Sequence, residues 1–221
     1  MSTKAERFAA LQAERAAALS RRLDDLLDLH GDERALDVGA GTGALAFALA
    51  PRVASMVALD ADGAMIEHAR AAAPANVEAV VGDGERLPFD GASFDLAGTL
   101  RTLHHTPHPG RLLAELRRVV RPGGTLLVAD QLAPEDGEGA DALNRFERAR
   151  DASTTRVLAE TELRALFADA GLRVRRAEIV REPRDLESYL DLAGCTGAQR
   201  EEARRLAPAG YTATLGWFVL G

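Results

Sequence analysis

The chain has 221 residues, 47% of them hydrophobic and 28% charged, with a formal net charge of −7 at pH 7. These proportions belong to an ordinary globular protein with room for a sizeable core, and they exclude a disordered or fibrous architecture. Acidic and basic residues are interspersed, so no basic stripe exists to hold polymeric nucleic acid, and the one cysteine, Cys195, excludes an intrachain disulfide or a thiolate metal site.

A lone thiol fits a reducing cytoplasm, which is the expected compartment. Lys4, Glu6 and Arg7 precede any apolar stretch, so no export signal is expected. The longest uncharged run, Leu206 to Gly221, spans 16 residues broken by Pro208, Gly210 and Gly216. It falls short of the roughly 20 apolar residues of a spanning helix, and no membrane span is predicted.

In chain order, residues 4 to 29 place Phe8, Leu11, Leu19, Leu23 and Leu26 at helical spacing, which predicts one amphipathic helix ending by Gly31. Apolar β-type runs follow at Ala35–Val38, Met56–Leu59, Val77–Val81, Phe94–Ala97 and Thr125–Ala129, separated by helix-length segments. Strand alternating with helix implies a parallel sheet. Asp62 is placed to cap a helix containing Met65, Ile66 and Ala69. Pro109 opens another, built on Leu112, Leu113, Leu116, Val119 and Val120, which Pro122, Gly123 and Gly124 should stop. The acidic, glycine-rich residues 133 to 141 read as a loop on the ligand side of the sheet, a candidate lid. Thr161 precedes a helix carrying Leu163, Leu166, Phe167 and Ala170, with Gly171 at its C-terminal cap. A strand at Leu172–Val180, one helix from Leu186 to Leu206 and a closing strand at Tyr211–Leu220 complete the reading.

The chemistry gathers at strand ends. Ala-Leu-Asp-Val-Gly-Ala-Gly-Thr-Gly-Ala at 35–44 is an apolar strand, a carboxylate and three glycines two apart, then a helix-forming run. Gly39, Gly41 and Gly43 lack a Cβ, so backbone amides there can approach a ligand closely. Gly39 to Ala44 also satisfies the G-x-G-x-x-G/A fingerprint of dinucleotide-binding oxidoreductases. Asp37 argues against a pyrophosphate at that loop and for a ligand bearing an ammonium and a sulfonium. Asp60, 23 residues after Asp37, is spaced to accept the hydroxyls of a ribose, and Asp83, after the third strand, to accept from an adenine amino group. No Tyr-x-x-x-Lys pair or other hydride-transfer constellation accompanies the loop.

Taken together, Leu-Asp-Val-Gly-Ala-Gly-Thr-Gly at 36–43, Ala-Leu-Asp at 58–60, Gly-Asp-Gly-Glu-Arg-Leu-Pro-Phe at 82–89, Ser-Phe-Asp-Leu at 93–96, Leu-His-His at 103–105 and Arg-Val-Val-Arg-Pro-Gly-Gly-Thr-Leu at 118–126 resemble the class I S-adenosylmethionine-dependent methyltransferases, especially the ubiquinone/menaquinone-biosynthesis-type group. The resemblance covers roughly residues 30 to 180. It implies an α/β, Rossmann-like three-layer sandwich with a mostly parallel seven-stranded sheet of order 3-2-1-4-5-7-6. It also implies a single domain over 1–221, with residues 1–30, 131–160 and 184–207 roofing an acceptor pocket. S-adenosylmethionine is the implied cofactor and a small molecule the implied methyl acceptor. Asp37, Gly39, Ala40, Gly41 and Gly43 would surround the methionine part, Asp60 and Ala61 the ribose, Asp83 and Gly84 the adenine, and Leu100 and Arg101 would close over the methionine end. His104 and His105 would face the acceptor, where a histidine can remove its proton. Phe8, Phe146, Tyr189 and Trp217 are candidate pocket aromatics. No metal is expected, and a monomer or homodimer is. Alternatives are an NAD(P)-dependent oxidoreductase or an S-adenosylmethionine-binding protein that catalyses a different reaction.

Overall fold

The computed structural model describes residues 3–221. Helix α1 (Lys4–Leu26) opens with a capping box in which the Thr3 hydroxyl accepts from the Glu6 N–H and the Glu6 carboxylate accepts from the Thr3 N–H. Then follow β1 (Arg34–Val38), α2 (Ala44–Leu49), β2 (Ser55–Asp60), α3 (Gly63–Ala72), β3 (Val77–Val81), β4 (Phe94–Leu100), α4 (Pro109–Val119) and β5 (Val120–Leu132). After these come α5 (Gly137–Arg150), α6 (Glu160–Asp169), β6 (Val174–Pro183), α7 (Leu186–Ala193), α8 (Gly197–Leu206) and β7 (Thr212–Leu220). The sheet runs β3-β2-β1-β4-β5-β7-β6, with β7 antiparallel to both its neighbours and the remaining pairs parallel. Among the described residues no helix is long and apolar enough to cross a membrane.

Strand side chains alternate between faces, and the alternation divides the core in two. Leu36 and Val38 of β1, Leu126 and Val128 of β5, and Phe218 and Leu220 of β7 pack with Leu112, Leu113 and Leu116 of α4 and Phe167 of α6. The intervening Ala35, Leu127, Ala129, Leu215 and Trp217 face α1 and α2, against Leu23, Leu26, Leu45 and Leu49. A smaller third cluster joins Phe146 of α5, Tyr189 and Leu190 of α7, Ala203 of α8 and Tyr211, and gives the helices above the sheet a core of their own.

Five expectations change, four of them in where elements begin and end and one at Thr161. The first helix ends at Leu26, three residues before the predicted end. Residues 133–141 are not a free loop: Asp136 accepts from the Gly139 N–H at 2.7 Å and starts α5 at Gly137, where carboxylates suit the positive end of a helix. The run 186–206 is two helices, because Gly194, at φ +79°, ends α7. Pro122, Gly123 and Gly124 do not stop α4, which already ends at Val119; they lie in β5, which advances from Val120 to Thr125 while its partner β4 advances only from Phe94 to Leu96. Gly123, at φ +82°, absorbs that bulge.

The polar helix ends are otherwise as expected. Asp62 caps α3 through the Ala64 and Met65 N–H groups, and Pro109 occupies the first turn of α4. Thr161, however, lies inside α6, whose N-cap is Ala159, and its hydroxyl donates to Glu135 at 2.6 Å.

Candidate active site

A cleft of about 910 Å³ opens at the carboxyl ends of β1, β2 and β4 and is covered by α1 and the connection from β6 into α7. Open parallel sheets bind ligands on this side, because the strand order reverses there and leaves a crevice between adjacent connections.

The glycine loop leaves β1 with its amides committed in order. The Gly39 and Ala40 N–H groups donate to Leu59 O at 2.8 and 3.0 Å, and the Gly41 N–H donates to Asp60 Oδ2 at 2.8 Å. Asp60 Oδ1 accepts from the Asp62 N–H at 2.8 Å, so one carboxylate spans the loop and the α3 cap. Gly39, at φ +74°, has Thr102 where its Cβ would stand, whereas a Cβ on Gly41, at φ +55°, would meet nothing within 4 Å. Close packing therefore requires the first glycine, and open space surrounds the second.

Gly39, Ala40, Gly41, Asp60, Ala61, Asp83, Gly84, Leu100, Arg101, His104 and His105 all line the cleft. Two expected residues, Asp37 and Gly43, do not line it. Strand parity explains the first. Asp37 alternates with Leu36 and Val38 and so faces α2, where Oδ2 accepts from the Ala46 N–H at 3.1 Å while Oδ1 is buried with no partner. The residue is 1% exposed. Burial, with the Asp60 charge adding and the Ala46 N–H opposing, pushes its carboxyl up to about 8. Gly43, at φ +94°, begins α2 against the Phe47 ring. Among the candidate aromatics Phe8, Tyr189 and Trp217 line the cleft, whereas Phe146 is fully buried in the core of the roof.

A stability profile follows for Asp37. With a folded-state pKa near 8 against roughly 4 in the unfolded chain, the unfolded state ionises first, and stability falls as pH rises through that window. Asp37→Asn keeps the Ala46 bond without the charge. Its melting temperature is expected to match the native protein near pH 4 and to exceed it by several degrees at pH 9; parallel profiles would refute the assignment.

The histidines sit in a short turn, Leu103–His105, directly after β4. His104 is 7% exposed; its Nδ1 lies 2.5 Å from Asp130 Oδ1, and its N–H donates to Asp130 Oδ2 at 3.2 Å. An ionised carboxylate only accepts, so Nδ1 carries the proton and Nε2 keeps its lone pair when the imidazole is neutral. Burial works to raise Asp130, but the charge and hydrogen bond of His104, with the Gln131 and His104 N–H groups, hold it below the usual carboxylate range.

His105 Nδ1 lies 3.1 Å from Ser153 Oγ, whose own proton goes to Asp151 Oδ1 at 2.6 Å. The serine hydroxyl has one proton to give, so His105 is the donor in that pair. Burial and the neighbouring His104 lower His105 to about 4, with Ser153 and the acids opposing. Asp151 also pairs with Lys4 of α1 at 3.3 Å, which ties the first turn of that helix to the site.

Glu147, 1% exposed on α5, organises the roof. It accepts from Tyr211 at 2.6 Å, Gln131 at 2.8 Å, Arg150 at 2.9 Å and Tyr189 at 3.2 Å. Such a network is favourable because every member is partnered.

The sequence reading missed Asp130, Asp151, Ser153 and Glu147. Asp130 had a signal, an acid toward the end of a strand in Val-Ala-Asp-Gln, the same mark that singled out Asp60. The others are brought in by the roof helices and had none.

An α/β doubly wound sheet with a glycine loop at the first strand end and acids at the next two defines a Rossmann-like cofactor-dependent enzyme. The comparisons narrow the class. A methyltransferase domain model matches residues 36–128. The chain is 31% identical over 179 residues to the uncharacterized methyltransferase YcgJ of Bacillus subtilis (strain 168), covering 79% of this chain and 70% of that one. It is 30% identical over 217 residues to the 27-O-demethylrifamycin SV methyltransferase of Amycolatopsis mediterranei (strain S699), covering 93% and 78%. The crystal structure of a candidate methyltransferase from Bacillus halodurans C-125 superposes with a TM-score of 0.80 at 27% identity, covering 91% of this chain and 96% of that one. The chain belongs to the class I S-adenosylmethionine-dependent methyltransferases.

Proposed function

We propose that this chain, acting as a single domain in the cytoplasm, methylates a small molecule at an acidic oxygen or carbon, with His104 as the base. The observation that carries this reading is the His104–Asp130 pair at 2.5 Å, whose histidine lines the same cleft as the glycine loop.

The residues present fit the cofactor. Open space at Gly41 leaves room for a ligand against the backbone, and Asp60 and Asp83 both border that space. In the proposed arrangement Gly39, Ala40 and Gly41 flank the methionine part, with Leu100 and Arg101 closing its end. Asp60 and Ala61 meet the ribose, and Asp83 and Gly84 the adenine. Asp37 acts from behind the loop: its buried Oδ1 and high pKa suit a carboxylate that ionises when positive charge arrives. When bound, S-adenosylmethionine supplies an electrophilic methyl, which the acceptor's electron pair takes while the S–CH3 pair returns to sulfur.

The protein's share of that reaction is alignment and proton removal. His104 Nε2 takes the acceptor's proton, and the Asp130 carboxylate balances the imidazolium that forms. His105, neutral across the physiological range, orients the acceptor through Nε2 while Ser153 and Asp151 fix its ring. Phe8, Tyr189 and Trp217 supply apolar wall. The Amycolatopsis relative is a 27-O-demethylrifamycin SV methyltransferase, and that similarity supports an oxygen acceptor.

The cofactor assignment is tested at Asp60. Asp60→Ala removes two loop bonds and the ribose acceptors, and is expected to weaken S-adenosylhomocysteine binding by roughly 10- to 100-fold in calorimetry. Unchanged affinity in a folded variant would contradict the assignment.

A further inference from the structure

The end of the cleft beyond β4 carries more positive charge than its own acids balance. Arg15 of α1, Arg101 after β4 and Arg184 after β6 converge on one atom, Glu182 Oε2, at 3.9, 3.3 and 3.1 Å. Among the described residues these three guanidiniums have no other hydrogen-bond acceptor or ion-pair partner. The Nε groups of Arg101 and Arg184 are shielded from water without a partner, and the Arg184 side chain is only 6% exposed. Arg101 itself is held at φ +57°, a left-handed conformation that costs a non-glycine residue about 1 kcal/mol or more.

Three guanidiniums against one carboxylate leave two positive charges over. The remaining acids nearby are taken: Asp151 pairs with Lys4, Glu147 with Arg150 and Glu178 with Arg22. Asp60 and Asp83 stand at the ends of β2 and β3, on the opposite side of β1 from β4 and β6. Arg184 is the buried cation of the three, and it shares its one carboxylate with two other guanidiniums; such a deficit is expensive, so the excess marks where ligand anions belong. Phe8, Leu192, Trp217 and the Tyr189 ring add apolar surface to the same cleft, and the Arg184 guanidinium lies over the Tyr189 ring at 5.1 Å.

We propose that Arg15 and Arg184 hold the ionised carboxylate of the methyl acceptor, so that the substrate is a small organic acid with an apolar body. This rests on the methyltransferase reading above. One of the two uncompensated charges answers the amino-acid carboxylate of the cofactor, which Arg101 is placed to meet; the second answers the acceptor. Arg15 and Arg184, on the roof, serve the acceptor side.

The shared chemistry, a carboxylate on a guanidinium, has two sources, and the test separates them. Protein saturated with S-adenosylhomocysteine is titrated calorimetrically with cinnamate and with its neutral amide, cinnamamide. The acid is expected to bind at least about ten-fold more tightly than the amide, because charge-assisted bonds to guanidinium are strong in a desolvated site. Arg184→Gln and Arg15→Gln should each erase most of that preference, Arg184→Lys should restore part of it, and S-adenosylhomocysteine affinity should stay within about two-fold throughout. Equal binding of acid and amide, or a preference that survives both variants, overturns the proposal. Loss of S-adenosylhomocysteine affinity in the variants, with acid preference retained, also overturns it and assigns the whole cluster to the cofactor. Native protein that binds no S-adenosylhomocysteine is a different failure, that of the methyltransferase reading itself. Should Arg184→Gln not fold, Arg15→Gln decides the matter, since that side chain is 41% exposed on a helix surface.

Discussion

Asp130→Asn is expected to lower turnover by roughly 10²- to 10⁴-fold while leaving S-adenosylhomocysteine affinity unchanged, because proton transfer by a positioned base contributes that much. The carboxylate accepts from His104 Nδ1 and from two backbone N–H groups, so it determines both which ring nitrogen is protonated and where the ring sits. An asparagine can offer its amide N–H to Nδ1. The imidazole then carries its proton on Nε2, facing the acceptor with no lone pair to receive another. A purely structural role for Asp130 would show as lost stability or cofactor affinity instead. The discriminating readout is kcat measured beside melting temperature and S-adenosylhomocysteine affinity: the variant should lose the first and keep the other two. His104→Ala should reproduce the loss of turnover, and normal activity in either variant would remove the base from the account.

The second large effect divides two glycines that look equivalent in the sequence. Gly39→Ala places a methyl into Thr102 and forces a left-handed φ of +74° on a residue with a side chain. Overpacking and backbone strain together are expected to cost about 2–5 kcal/mol, a fall of roughly 5–20 °C in melting temperature for a chain of this size. A Cβ on Gly41 meets no protein atom within 4 Å, so the Gly41→Val side chain starts out into open space. The fold should survive with a loss of about 1–2 kcal/mol, while S-adenosylhomocysteine affinity falls by 100-fold or more because the ligand's approach to the backbone is obstructed. Paired melts and calorimetry distinguish the two. A Gly41→Val protein that binds normally would show that no ligand approaches the loop there.

The same contrast explains what was legible in the sequence. Strands announced themselves as short apolar runs, and Val77–Val81 was read with its observed limits. Punctuation was harder. Pro122-Gly123-Gly124 has the composition of a helix stop, yet pairing with β4 turns it into a bulge inside β5, a choice made by the neighbouring strand. Gly194 looked like one glycine in a helical run until its positive φ separated α7 from α8. That Asp60, Asp83 and the histidines line one cleft was readable because strand ends share one edge of a parallel sheet. Asp37 was readable as an acid but not by direction, since parity turned it toward α2. Arg101 was read for the methionine end alone, and Arg15 and Arg184 were not read: residues 15, 101 and 184 meet only when the first helix folds across the sheet and the β6–α7 connection comes down on it. Such convergence over long sequence separations leaves no local pattern.

The central claim is that the cleft at the ends of β1, β2 and β4 takes an adenosyl sulfonium cofactor. Titration calorimetry of the intact chain with S-adenosylhomocysteine, alongside the same titration with NAD, tests it most directly. The account requires saturable binding of S-adenosylhomocysteine at one site per chain and none of NAD. Saturable NAD binding without any heat from S-adenosylhomocysteine would contradict it.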